Sequence, residues 1–199
     1  MLSNAFSLIL LAAATLASPL VASSETPAVT KSAGGERAFG LQAFRPGSAI
    51  HQAPFQAALN SVFLNLPAQN ATCQRDTNTA TFILEPPGKG ALYLYNSDAL
   101  SQQLYVDRSG MGQGKFGWTT GDSRGPRYSE RVSFSVDSYD FLTFRGHKFI
   151  ACPNGFEGAW SVWLDVGILN PGFNQGCEPI EVQAIPTGDP DSCVYAQSQ

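Results

Sequence analysis

Short stretches in which apolar and polar residues alternate recur from residue 38 onward, and this period of two is the strongest constraint on the fold. Ser61–Leu66, Val132–Val136 and Ile180–Ala184 show it most clearly, and it matches the alternation of side chains between the two faces of a β-strand. Only Pro54–Asn60 has the composition of a helix. Further strands are predicted at Thr79–Leu84, Ala91–Tyr95, Gln103–Val106, Lys115–Thr119, Phe141–Phe144, Phe149–Cys152 and Trp160–Val166.

Turn-forming residues separate these stretches. Glu85–Gly90, Asp137–Asp140 and Arg145–Lys148 are each predicted to join two strands into a hairpin. The 19 glycines and 13 prolines suit a chain with many tight turns. About ten short strands with regular turns predict an all-β domain, an antiparallel β-sandwich or barrel. A β-trefoil is the alternative, although the sequence has no clear threefold repeat.

The N-terminal residues predict secretion. Ala5–Ala17 is an uncharged apolar run of 13 residues, which is too short to cross a bilayer as a helix and is typical of a signal peptide. We predict a signal peptide over residues 1–17, with cleavage after Ala17 or, alternatively, after Ala22. Residues 18–37 are rich in Ser, Ala, Thr and Pro and predict a flexible segment, so residues 38–199 form a single predicted domain.

The predicted secretion determines how the glycosylation sequon and the C-terminal residues are interpreted. Asn70-Ala71-Thr72 is the only N-x-S/T sequon in the chain, so Asn70 is the predicted site of an N-linked glycan. Residues 191–199 lack the hydrophobic tail that lipid anchoring requires. We therefore expect no membrane anchor.

The four cysteines predict two disulfides. Between Cys73, Cys152, Cys177 and Cys193 lie 78, 24 and 15 residues, spacings that match neither a zinc site nor a C-x-x-C redox motif. Three pairings are possible. We favour Cys152 with Cys177, which would cross-link one compact segment, and Cys73 with Cys193, which would tie the beginning of the domain to its end.

Charge and motif content argue against several functions. With 12 Lys and Arg against 16 Asp and Glu, the chain has no excess of positive charge for a nucleic acid partner. His51 and His147 are the only histidines and have no metal-ligand spacing, and no G-x-S-x-G elbow occurs. We therefore expect no metal, no cofactor and no catalytic residues. A pair of carboxylates that meets only in the fold stays open, and its candidates are Asp107, Glu130, Asp137, Asp140 and Asp165.

The glycine-rich segment after Asp107 has a predicted structural role. Gly110, Gly112 and Gly114 alternate with other residues, but the run leads into a strand and not into a helix, as a phosphate-binding loop would. We predict a bulged turn that these glycines and Asp107 shape.

Aromatic residues suggest the best binding hypothesis. Tyr and Trp rings can stack on sugars when they lie on one open face. Tyr93 and Tyr95 share a strand face opposite Leu92 and Leu94. The full set of candidate stacking residues is Tyr93, Tyr95, Trp118, Trp160 and Trp163.

Five segments carry a family resemblance, and they are Asn70–Cys73, Gln103–Gly114, Gly117–Gly121, Ala151–Gly155 and Trp160–Trp163. In this combination and order they resemble the PhiA family of fungal cell-wall proteins, from about Ala38 to Tyr195. The resemblance implies a secreted, wall-associated glycoprotein of a filamentous fungus with a role in phialide formation and asexual sporulation.

A more distant likeness is carried by Phe149–Cys152 and Gly176–Val182. These segments resemble the four-cysteine C-terminal domain of yeast Pir wall proteins. The chain lacks the glutamine-containing repeat that links Pir proteins to β-glucan through an ester, so we do not expect that attachment here.

Three functional hypotheses follow. The first is a non-enzymatic structural or interaction protein of the wall, whose partners are wall polysaccharide or other wall proteins. The second is a module that binds β-glucan or chitin. The third is a wall-modifying glycoside hydrolase that uses two of the carboxylates.

Overall fold

The computed structural model describes residues 37–85, 89–97 and 100–198, so the predicted signal peptide and the flexible segment up to residue 36 lie outside it. Within these ranges no helix is long and apolar enough to span a membrane, and the helical elements are two short 3-10 turns, Phe156–Gly158 and Pro171–Phe173. The strands are β1 (Arg37–Phe44), β2 (Phe55–Ala58), β3 (Ser61–Leu64), β4 (Thr72–Cys73), β5 (Thr81–Leu84), β6 (Leu92–Leu94), β7 (Gln102–Asp107), β8 (Lys115–Thr120), β9 (Ser129–Glu130), β10 (Phe134–Val136), β11 (Phe141–Phe144), β12 (Phe149–Cys152), β13 (Trp160–Leu164), β14 (Glu178–Pro186) and β15 (Cys193–Val194).

Nine strands close into an antiparallel barrel. Around the circumference the order is β1, β5, β6, β7, β8, β3, β13, β12, β14, and β14 pairs back with β1. This last pairing runs from Phe39↔Pro186 to Phe44↔Glu181. Closure removes the unpaired edges that an open sheet presents. The predicted class, sandwich or barrel, is confirmed in its barrel form.

Alternate residues of the barrel strands point inward and form the core. Near the centre, the ring centroids of Phe116 and Phe149 lie 5.2 Å apart. The Tyr195 ring packs edge-on against Trp118, and the backbone N–H and C=O of Tyr195 both bond to the side-chain amide of Gln102. All of these residues are buried. The barrel interior is thus packed with side chains, as in other small barrels.

The helix predicted over residues 54–60 is wrong. Phe55–Ala58 is strand β2, paired with β3. Leu59–Asn60, with φ of 50° and 57°, forms the two-residue turn of this hairpin. The buried side-chain amide of Gln56 bonds to the backbone N–H and C=O of Leu66, each at 2.6 Å. Strand pairing and this buried amide override the helical propensity of the segment.

The hairpins β5–β6 and β10–β11 are confirmed. The turn predicted at Arg145–Lys148 is present and is closed by one antiparallel bridge, Phe144↔His147, but β11 and β12 do not continue this pairing. Strands β11 and β12 both pair with β14, through Leu142↔Val182 and Phe149↔Ile180. Because β14 is nine residues long, the two short strands lie end to end along it. The segment between them leaves the sheet as a tight turn.

The two disulfides have the pairing favoured from the sequence. Cys73–Cys193 joins β4 to β15, which form a separate two-stranded sheet. Cys152–Cys177 joins the end of β12 to the residue before β14. The sequence separations are 120 and 25 residues.

Removing the disulfide that spans more residues should destabilise the protein more. From the entropy of closing loops of these lengths, we expect the double variant Cys73→Ala/Cys193→Ala to lose about 5 kcal/mol of unfolding free energy, and Cys152→Ala/Cys177→Ala about 3.5 kcal/mol. Guanidinium unfolding without reductant measures both losses. A larger loss of unfolding free energy in Cys152→Ala/Cys177→Ala would contradict a stabilisation that acts through the unfolded chain.

Candidate functional site

The turn between β7 and β8 is built around Asp107. This carboxylate is buried, and its Oδ1 accepts a hydrogen bond from the backbone N–H two residues further on, at 2.9 Å. A Cβ on Gly112 would overlap the Asp107 side chain, and a Cβ on Gly114, where φ is +90°, would overlap the carbonyl oxygen of Leu164. These contacts agree with the structural role predicted for Asp107, Gly112 and Gly114. Around Gly110 no described heavy atom lies within 4 Å of a Cβ position.

The two candidate stacking tyrosines lie on the outer face of the barrel. Tyr93 and Tyr95 are half-buried, and the alternating Leu92 and Leu94 are in the core, as the sequence predicts. The Tyr93 hydroxyl donates to Oε1 of Glu85 at 3.3 Å. Sugar stacking on this pair stays a prediction.

The three candidate tryptophans are less open. Trp118 is 0% exposed, so its prediction as a stacking residue is wrong, because it occupies an inward position of β8. Trp160 packs against the core. Trp163 is on the outer face, but Lys115 Nζ lies 5.2 Å from its ring centroid and a Cβ on Gly172 would come within 2.7 Å of the ring. Neighbours within the protein therefore cover much of this indole.

Lys115 is a chemically unusual residue that the sequence analysis missed. Its Nζ donates to Ser61 Oγ at 2.5 Å and lies over the Trp163 ring. Among the described carboxylates none forms an ion pair with it. Burial lowers the pKa of Lys115 to about 8. A single lysine in a strand gives no sequence signal for this environment, because β3 and β13 supply its partners.

The carboxylates considered for hydrolysis take part in structural contacts. Glu130 accepts two hydrogen bonds from Arg108, at 2.7 and 2.9 Å, and pairs with Arg145 at 3.1 Å. The pKa of Glu130 is lowered, and the hydrogen bonds from Arg108 are the main cause. Asp137 and Asp165 each accept backbone N–H groups of their own turns at 2.9 Å. Asp140 lies in the same turn as Asp137, with φ of 64°.

The histidines are separate from these groups. His51 Nδ1 accepts from the backbone N–H of Arg45 at 3.3 Å, and His147 is exposed in the turn before β12. In the described part of the chain, one group of potential metal ligands comes together, Cys73, Asp191 and Cys193. Both cysteines are in the disulfide, so this group does not offer thiolate ligands.

Asn70 is exposed in the loop that leads into β4, with φ of 51°. Its side chain is therefore on the surface, where a glycan can be accommodated. The N-linked glycan at this position stays a prediction.

Two open grooves lie on the outer surface. One, of about 550 Å³, is lined by residues 44–48 and 178–181 together with Lys148, and ion pairs occupy it, Arg45–Glu178 at 2.7 Å and Lys148–Glu181 at 2.5 Å. The other, of about 590 Å³, has β1 as its floor and the loops before β5 and after β14 as its walls. We call the second one the β1 groove. No sequence pattern indicates this groove, because the segments that line it are far apart in the chain.

Substituting Gly114 tests the structural role of the turn. We expect Gly114→Ala to lose about 2 to 3 kcal/mol of unfolding free energy, because the added methyl group meets backbone at a left-handed φ. Gly110→Ala, with open space around it, is the matched control and should change stability by about 0.5 kcal/mol or less. Equal losses in denaturant unfolding would contradict this role.

The pH dependence of stability tests the burial of Lys115. Its pKa is about 8 when folded and 10.5 ordinarily, so in this window the unfolded chain binds a proton that the folded protein has released. Stability therefore rises with pH between these values, and the burial penalty is complete below pH 8. In Lys115→Met this rise should be absent, so its stability relative to wild type should be greatest at pH 7 and decline towards pH 10.

Denaturant unfolding at pH 7, 8, 9 and 10 measures this difference. Lys148→Met is the control, because Lys148 is exposed and paired with Glu181. If the unfolding free energy of the wild type changes with pH in parallel with that of Lys115→Met, the lowered pKa of Lys115 is contradicted.

Comparison with known proteins gives one family. The family described as PhiA-like secreted protein matches residues 39–196. Three relatives are each named cell wall protein phiA. That of Aspergillus niger is 47% identical over 161 residues, 80% of this chain and 86% of the relative; that of Aspergillus fumigatus is 48% identical over 160 residues, 80% and 85%; and that of Emericella nidulans is 46% identical over 185 residues, 92% and 96%.

No solved structure matches the chain significantly, and the likeness to Pir proteins stays a prediction. The resemblance to PhiA proteins is confirmed, because the match covers nearly all of the predicted domain. The chain therefore belongs to the PhiA-like secreted protein family and is a secreted, cell-wall-associated protein.

Proposed function

We propose that this chain is a non-enzymatic, glycosylated structural component of the fungal wall that acts in phialide formation and asexual sporulation. The observation that carries the proposal is the family match over residues 39–196, with relatives named as cell wall proteins. The architecture supports it. A closed barrel with a packed interior and two peripheral disulfides is a stable body that offers its outer surface to partners.

The non-enzymatic part of the proposal is supported by what the candidate catalytic groups do. Glu130 is bound by two arginines, and Asp107, Asp137 and Asp165 accept backbone N–H groups in turns. A carboxylate engaged in this way directs its oxygens towards the protein itself. A general acid for glycoside hydrolysis must instead present its carboxyl group to the substrate.

Binding of wall polysaccharide is the second candidate function. The β1 groove favours it, because this groove is concave and lined with both polar and apolar side chains. In this case the polysaccharide itself is the partner that retains the protein, whereas the first proposal also allows other wall proteins as partners.

The distribution of the native protein between culture medium and washed wall tests the proposal. We expect most of it in the wall, and successive extraction with hot detergent, reductant and glucanase identifies how it is held. Treatment of each fraction with an N-glycosidase should shift the wild-type protein but not the Asn70→Gln variant. A protein found almost entirely in the medium would contradict a structural role in the wall.

Two further measurements address the rest of the proposal. Prolonged incubation of the purified protein with wall polysaccharides should release no product, and released oligosaccharides would overturn its non-enzymatic nature. A strain without the protein should form fewer phialides and conidia, and the wild-type gene should restore them. Unchanged phialides and conidia in that strain would overturn the developmental role.

A further inference from the structure

We propose that the β1 groove is the binding site for a chain of a neutral, hydroxylated wall polysaccharide. This inference rests on the wall function proposed above and assigns it a place on the molecule. The floor of the groove is the outward side of β1, at Gly40 and Gln42, and the loop of residues 75–80 and the segment of residues 185–191 flank it. Its volume of about 590 Å³ lies within the usual range of ligand clefts.

Gly40 is the first reason for this assignment. It lies within β1, opposite Ile185 of β14 on one side and Thr81 of β5 on the other. Its φ is not left-handed, and no described heavy atom lies within 4 Å of where its Cβ would be. Neither backbone geometry nor packing within the described residues therefore requires a glycine here. Glycine weakens a strand interior, and there it often marks a bulge, a bend of the barrel or the close approach of a ligand. The register of Gly40 with both neighbouring strands is unbroken, so it marks no bulge, and we assign it to the approach of a ligand.

The walls supply the hydrogen-bonding groups that sugar hydroxyls need. Thr77 and Thr79 bring their hydroxyl groups to within 3.1 Å of each other. Asp76 is exposed, and its carboxylate has no hydrogen bond or ion pair within the described ranges. On the opposite side Ile185, which is 38% exposed, and Pro186 offer an apolar surface. Hydroxyls and a free carboxylate facing an apolar wall suit the two kinds of surface of a pyranose, its hydroxyls and its C–H face.

The polar wall is connected to the segment of residues 185–191 by contacts of Arg75. Arg75 forms an ion pair with Asp189 across the groove, and the backbone N–H of Arg75 donates to Oδ1 of Asp191 at 3.2 Å. Asp191 lines the groove and is only 8% exposed. This buried carboxylate is a positioning residue, because it fixes the loop that carries the groups expected to face the ligand.

The charge of the groove selects between polysaccharides. Its ionisable side chains are one guanidinium, Arg75, and three carboxylates, Asp76, Asp189 and Asp191, which gives a net charge of −2. An anionic polymer is therefore disfavoured by repulsion. A neutral glucan or chitin chain meets no such barrier.

Gly40→Val is the variant that tests the groove. The valine side chain would stand on its floor between Thr81 and Ile185, and contacts between β-branched residues across strands stabilise a sheet. We expect an unchanged or higher Tm together with at least a tenfold loss of retention on insoluble β-glucan or chitin particles. Gly110→Val, also a glycine with open space and no left-handed φ, is the matched control and should retain wild-type binding.

A second variant keeps the test independent of folding. Asp76→Asn combined with Thr79→Val changes two exposed side chains on the wall and leaves β1 intact, and we expect several-fold weaker retention. Retention of the wild-type protein on neutral particles should survive 0.5 M NaCl. Binding only to chitosan, lost in this salt, would overturn the proposal, because attraction of amines to carboxylates would then explain it.

The outcomes separate the groove from the wall function. Wild-type retention on β-glucan or chitin that neither variant reduces would show that the β1 groove is not the site. A protein that stays in the wall but binds neither polysaccharide would overturn the groove and leave the wall role standing. A protein that binds through the groove but is absent from the wall would overturn the wall role alone.

Discussion

The pairing of β1 with β14 is the contact on which the remaining structure depends. It joins two ends of the described chain, from Phe39↔Pro186 to Phe44↔Glu181, and so converts a long sheet into a closed barrel. Without it the inward residues of both strands would face solvent, and the aromatic core around Phe116 and Phe149 would lose one wall. Closure also leaves β1 with partners on both sides. The outer position at Gly40 is open although both neighbouring strands are in place.

Period-two alternation was sufficient to predict most strands, because each exposes one face and buries the other. It placed Leu92 and Leu94 in the core and their tyrosine neighbours outside. It failed at residues 54–60, where a buried amide and strand pairing decide the conformation. It also did not show that β11 and β12 pair mainly with β14, whose length accommodates both strands. Local sequence contains neither fact. The cysteine pairing was predicted from the positions of the four cysteines along the chain and did not require knowledge of which strands pair.

The candidate site was harder to predict than the fold. Aromatic residues are read from sequence as possible sugar platforms, yet Trp118 is an inward residue and Trp163 is covered by Lys115 and Gly172. None of the described residues that line the β1 groove is aromatic. The β1 groove combines one glycine, several hydroxyls and a few charges from three separate segments. None of these residues is unusual alone, so only the fold reveals their proximity.

The barrel topology also affects the order in which strand pairings and disulfides form during synthesis. Strand β1 is synthesised near the beginning of the domain, but its partner β14 emerges near the end, and such long-range pairings form slowly. Cys73 therefore enters the oxidising compartment well before Cys193, while Cys152 and Cys177 become available to it earlier. The order in which the thiols appear would favour pairing of Cys73 with Cys152 or Cys177. Selection of the native disulfides thus depends on β4 and β15 meeting.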